Sequence, residues 1–194
     1  MQDSRRRRWQ TIVSRVAAEY QLLPAAEKQW ISVHLADMAQ RQRQLEELFV
    51  AAGGPQACSD CAGGCCAHGH NHMTLANLLQ FVQREQQPPV PDFTRDCPFL
   101  GPSGCLLAVG SRPYNCISFI CDIIESGLAP AQLQRFYQLE QQLRRDYLAF
   151  AARYQGAAMT GLLLQDLRLN GQSFFTLRPV PEPGAEGSTH VFEL

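Results

Sequence analysis

The chain has 194 residues, 45% of them apolar and 18% charged, and its formal net charge is −1. The length suits one domain, or one domain with a helical extension, and is enough to bury a core. The near-zero charge leaves no whole-protein field for nucleic acid or an acidic membrane, and no apolar run approaches the roughly 20 residues of a membrane span.

Residues 4–20 carry a helical pattern, with Ser4 as a candidate N-cap and Ile12, Val16 and Tyr20 on one face. Arg5-Arg6-Arg7-Arg8 falls in the first turn, where the helix dipole disfavours cations, so a fraying start and a solvated basic arm are expected. Trp9 to Tyr20 mixes Gln, Thr, Ser, Arg and Glu and does not form the apolar region of a secretory signal, which predicts a cytoplasmic protein with reduced thiols. Pro24 suits the first turn of a second helix. Its stripe is Ile31, Leu35, Met38, Leu45 and Phe49, interrupted by one polar residue, Gln42, and Gly53-Gly54-Pro55 ends it. Residues 1–55 thus read as a helical hairpin with one apolar side.

Residues 56–127 hold short elements and much turn chemistry. Thr74 can cap a helix running to about Gln86, with Leu75, Leu78, Leu79 and Val82 on its buried side. Gln87-Pro88-Pro89-Val90-Pro91 is a stiff extended connector. Gly101-Pro102-Ser103-Gly104 is a turn between Phe99-Leu100 and Leu106-Leu107, which predicts a small β-hairpin. Ser111 and Pro113 start another helix, which Gly127 can end.

Residues 128–178 form a helical segment. Pro130 opens the longest helix expected, with Leu133, Phe136, Leu139, Leu143, Tyr147, Phe150 and Tyr154 along one seam and Gly156 closing it. Leu162 to Leu169 is a short apolar helix or strand, and Phe174 to Leu177 and His190 to Leu194 have weak strand character. Residues 179–194 are a Pro/Gly-rich tail. The expected fold class is mostly α. An irregular cysteine-rich metal-binding module with a small β-hairpin is flanked by an N-terminal helical hairpin and a long C-terminal helix.

All eight cysteines lie between Cys58 and Cys121. They read Cys58-x-x-Cys61-x-x-x-Cys65-Cys66, then Cys97, Cys105, Cys116 and Cys121. Such density calls for a soft metal or a disulfide framework, and reduced thiols in a chain able to build its own core favour metal. A C-x-x-C pair can turn two thiolates toward one ion, and the same ligands hold zinc or an iron–sulfur cluster. Adjacent side chains such as Cys65 and Cys66 diverge, so they need an irregular backbone to share one ion, or they feed two metals, or one of them packs as a small hydrophobe. Cys121 follows Cys116 by five residues, about 140° around a helix, and faces the same ion only if that helix is interrupted. Eight thiolates could make two four-thiolate sites or one shared multinuclear centre. Arg112 is a candidate compensating charge or an ordinary helix-start or surface arginine. His68, His70 and His72 are candidate entry ligands or an exposed polar loop, and His34 and His190 read as packed or surface residues.

The Cys-x-x-Cys-x-x-x-Cys-Cys run, Cys97-Pro98-Phe99-Leu100, Gly104-Cys105 and Arg112-Pro113-x-x-Cys116, taken in this order, resemble the YkgJ-type cysteine-cluster domain, described as a zinc- or iron-chelating module. The resemblance covers residues 58–121. It implies a metal centre on Cys58, Cys61, Cys65, Cys66, Cys97, Cys105, Cys116 and Cys121. The expected function is a metal-binding protein with a zinc or iron–sulfur centre and no assigned reaction. Two alternatives stay open: an iron–sulfur-dependent oxidoreductase or group-transfer enzyme, and a structural zinc module mediating protein interaction. The expected partner is a metal ion, with a protein partner or a homodimer open, and with neither membrane nor nucleic acid.

Overall fold

The computed structural model describes residues 2–61, 64–68, 73–102 and 104–179. The chain is mostly helical, with one two-stranded antiparallel sheet among the described residues. The helices are α1 (Gln2–Gln21), α2 (Ala25–Ala51), α3 (Gly54–Asp60), α4 (Gly64–His68), α5 (Leu75–Val82), α6 (Tyr114–Ser118), α7 (Asp122–Ser126), α8 (Pro130–Arg153) and α9 (Leu162–Leu169). The strands are β1 (Leu100–Gly101) and β2 (Gly104–Cys105), paired with Leu100 opposite Cys105 and Gly101 opposite Gly104.

The two long helices carry the architecture. The stripe of α2 buries Ile31, Leu35, Met38, Ala39 and Leu45, and the seam of α8 buries Phe136, Leu139, Leu143, Tyr147 and Phe150. The two faces pack on each other in the most extensive helix–helix contact of the fold. α1 buries Trp9, Ile12, Val16 and Tyr20 and packs on α9 and α5. One contiguous core runs through all of these and takes in Cys97, Phe99, Phe174 and Phe175. No helix among the described residues is long and apolar enough to cross a membrane.

Several local expectations change. α2, with 27 residues, is longer than α8, with 24, and Pro24 sits at its N-cap with φ −57° and not inside the first turn. α8 ends at Arg153, before Gly156, because Tyr154 turns extended and bridges Leu177. That single bridge replaces the strand expected at Phe174 to Leu177. The basic run is only partly a free arm: Arg8 pairs with Asp166 at 2.7 Å and the Arg5 guanidinium lies 5.0 Å from the centre of the Phe93 ring. The short elements expected in the module include the helices α3 and α4, and α4 holds Cys65 and Cys66 on a helix and not on an irregular backbone. The strand expected at His190 to Leu194 and the tail beyond Pro179 lie outside the described residues.

Candidate metal centre

The path from α2 into the module needs two glycines. Gly53 takes φ +74°, a left-handed conformation that a side chain strains. A Cβ on Gly54 would fall 2.4 Å from the Phe49 ring, which tucks beneath the turn. α3 then begins, carrying half-buried Cys58, and Cys61 caps its C-terminus with its thiol 3.6 Å from the Cys58 carbonyl. α3 packs on α7, whose N-cap is Cys121.

Cys65 and Cys66 both lie within α4, so their side chains leave the axis about 100° apart. Cys65 is exposed and Cys66 half-buried. Cys97 is buried at the head of a knuckle whose Phe99 and Leu100 backbone amides favour the ionised form of its thiol. The Leu100 N–H also reaches the Cys97 carbonyl at 3.2 Å. The chain turns through the hairpin and brings Cys105, exposed, opposite Leu100 on the neighbouring strand.

The helix expected from Ser111 to Gly127 is broken. A 3₁₀ turn at Val109–Ser111 precedes Pro113, which caps α6. The chain then runs extended at Phe119 (φ −85°, ψ 127°) and at Cys121 (φ −87°, ψ 167°) before α7 begins. The interruption that would free Cys121 from the 140° offset is therefore present.

Burial and the charge of other thiolates in the module set how readily each thiol ionises. Burial raises the Cys58 thiol above its ordinary range, and negative charge at Cys65, Cys61 and Cys121 would raise it further, as does Glu46. Cys66 is pushed up to about 11, by burial first and then by Cys65, Cys97 and Cys105. Burial lifts Cys116 furthest, with Cys105, Cys97 and Cys66 adding to it and Arg112 opposing. Cys97 is raised by burial and by Cys105, against the two backbone amides. As free groups these four thiols are neutral at pH 7, so a metal would have to displace their protons. Among the described residues, no group of three or more His, Cys, Asp or Glu side chains is gathered tightly enough to hold an ion as it stands. The donor type nonetheless suits a soft metal, since each of these elements contributes a thiol to the one module.

Beneath the module is a polar node that the sequence only hinted at. The carbonyl of Arg112 accepts from Gln42 Nε2 at 2.6 Å, Asn77 Nδ2 at 2.9 Å and Tyr147 Oη at 3.2 Å, which come from α2, α5 and α8. The Arg112 side chain donates to the Leu107 carbonyl and pairs with Glu46 at 3.1 Å. It is thus a half-buried, paired arginine beside Cys116 and not a free surface cation. The signals for this node were Gln42 breaking an apolar stripe and Asn77 lying among leucines. Glu46 and Tyr147 gave none.

Nδ1 of His34 is 2.9 Å from the Trp30 carbonyl, and the ring stacks on that indole, so His34 is a packed residue. His68 belongs to α4, and its side chain, like His70, His72 and His190, lies outside the described residues. No protein-family model, curated protein or solved structure matches the chain.

Proposed function

We propose that this chain is a metal-binding protein whose cysteine module holds zinc or an iron–sulfur cluster on thiolates, as the YkgJ-type resemblance implies. The observation that carries the reading is the Cys97 knuckle. A buried thiol stands where the backbone amides of Phe99 and Leu100 favour its ionised form, and such amides stabilise a thiolate once a metal has taken its proton. Cys58, Cys61, Cys65, Cys66, Cys97, Cys105, Cys116 and Cys121 would be the ligands. Arg112, whose charge already favours the ionised form of Cys116, would offset part of the negative charge they bring. When bound, the metal would supply a structural cross-link or, as a cluster, electron transfer. Reduced thiols of this kind suit the cytoplasm.

The deciding experiment is anaerobic purification followed by metal and acid-labile sulfide analysis. Brown protein with sulfide identifies an iron–sulfur centre, colourless protein with stoichiometric zinc identifies zinc, and protein with neither overturns the proposal. A structural module that displays a surface to a protein partner is a second reading. It is favoured by Phe119 and Ile123, which flank the α6–α7 break and are 60% and 65% exposed. Sedimentation of the metal-loaded protein would test for self-association through that surface.

A further inference from the structure

Of the four asparagines in the chain, only Asn170 is followed by glycine. It caps the C-terminus of α9 in the left-handed conformation, with φ 46° and ψ 46°, and Gly171 continues the turn at φ 89°. Both residues are exposed. Among the described residues, neither the Asn170 side chain nor the Gly171 N–H makes a hydrogen bond. The turn closes one residue later, where the Gln172 N–H meets the Leu169 carbonyl at 2.9 Å. The Asn170–Gly171 peptide is therefore free to rotate, and Gly171, with no Cβ and open space around it, can follow. Asn77 and Asn115 differ. Each lies in a helix, and the amide that follows it is engaged: Leu78 N–H on the Thr74 carbonyl at 3.1 Å, and Cys116 N–H on the Pro113 carbonyl at 2.9 Å. Asn71 precedes His72, outside the described residues.

We propose that Asn170 is a site of spontaneous deamidation and isomerisation, and that the change loosens the junction of α9 with α1. The Gly171 amide nitrogen, its proton taken by hydroxide, adds to the side-chain carbonyl carbon of Asn170. A C–N bond forms, the bond to the side-chain nitrogen breaks, and ammonia leaves with a proton from water. Water then opens the five-membered imide at either carbonyl. One opening gives aspartate; the other gives isoaspartate, with the main chain rerouted through the side chain. No redox partner or cofactor enters the balance. Directly after this turn, the Gln172 carbonyl accepts from Arg15 Nη2 at 2.6 Å, and Ser173 Oγ and the Phe174 N–H both donate to Glu19 at 2.8 Å. A new carboxylate here opposes the negative end of the α9 dipole. The isoaspartyl link also adds a carbon to the main chain between Leu169 and Gln172. The turn closure and the contacts to α1 then cannot all be kept.

The test incubates the full chain, reduced and anaerobic, in mildly alkaline buffer and maps its peptides by mass spectrometry. Conversion at Asn170 should exceed that at Asn77 and at Asn115 by on the order of tenfold, since neither has a glycine that lets its peptide turn. It should quicken as pH rises, because the attacking amide must lose its proton. The aged protein should melt about 2–4 °C below fresh protein, the shift that the loss of a few contacts gives in a chain of this size. Asn170→Gly suits the left-handed turn and carries no amide, so it should fold and keep its melting temperature through the same incubation. Intact Asn170 after incubation would overturn the site. The same fall in melting temperature in Asn170→Gly would overturn the loosening of the junction.

Discussion

Asn77 has an unusual load for one buried side chain. Its oxygen accepts from the Thr74 N–H and hydroxyl, and its nitrogen donates to the Arg112 carbonyl and the Tyr147 hydroxyl. Gln42 makes one bond to the same carbonyl, which keeps two other donors without it. Asn77→Ala is therefore expected to cost about 2–3 kcal/mol, and Gln42→Leu less than about 1 kcal/mol, because only the first leaves several buried groups unpaired. Urea denaturation of both variants checks the order, and a larger loss for Gln42→Leu would refute it. Asp146 is a half-buried residue whose buried Oδ2 has imperfect compensation. Its Oδ2 is 3.0 Å from an Arg41 nitrogen, yet the approach is misaligned for a hydrogen bond. Burial raises its carboxyl above the ordinary range, Asp37 adds to this, and Arg41, His34 and Arg145 oppose it. A carboxyl with a raised folded-state pKa binds its proton in the folded chain first. Stability accordingly falls as pH rises from the unfolded to the folded value, and above both the penalty is complete. Asp146→Asn should melt higher than the unmodified chain at pH 7, with the gain disappearing in acid. An equal or lower melting temperature at pH 7 would count against it. The sequence could place these residues on helices, but it could not show that α2, α5 and α8 converge on one carbonyl, because that depends on how the elements pack.

Among the elements, the long amphipathic helices were the most legible, since burial of a stripe fixes their period over many turns. α3 and α4 were not, because seven and five residues rich in glycine and cysteine carry too little periodicity to register. The end of α5 is another case. Good helix formers continue to Gln87, yet the chain turns earlier, through a Schellman closure with Gln86 N–H on the Phe81 carbonyl and Glu85 N–H on that of Val82. The left-handed position is held by Glu85 at φ 54°, so the glycine that would have marked it in the sequence is missing. Glu85→Gly should therefore stabilise the protein by about 1 kcal/mol, the cost of a side chain in that conformation. Thermal denaturation checks it, and a destabilised variant would show that Glu85 is held by something other than the backbone turn. The cysteine module has less apolar support than the helices around it, so ligation should contribute to its order. Chelation is expected to speed amide exchange in residues 54–68 and 97–121 while α2 and α8 stay protected. Equal protection with and without metal would argue that the module folds without it.

At the scale of the whole molecule, one core joins the first helix to the segment after α9. The seam is closest at Gly156, whose N–H donates to the Phe174 carbonyl and where an added Cβ would lie 2.4 Å from that oxygen. Gly156→Ala has no side chain to push aside, only backbone, and should cost about 2–3 kcal/mol. Retained stability in calorimetry would mean that the Phe174 segment is loosely held. The sequence marked Gly156 as a helix stop. The structure makes it a point of close approach, which only the folded path reveals. The same core positions two indoles differently. Trp9 meets Phe99 edge-on at 5.9 Å, two residues from the Cys97 sulfur, while Trp30 is stacked on His34 and edges Phe150 at the far end of α8. These are the only two tryptophans in the chain. In a Trp30→Phe protein all indole emission would come from beside the knuckle, and in a Trp9→Phe protein from the helical scaffold. The fold thus carries a pair of separable intrinsic fluorophores, through which the order of events at the thiols and in the helices can be followed optically without any added label.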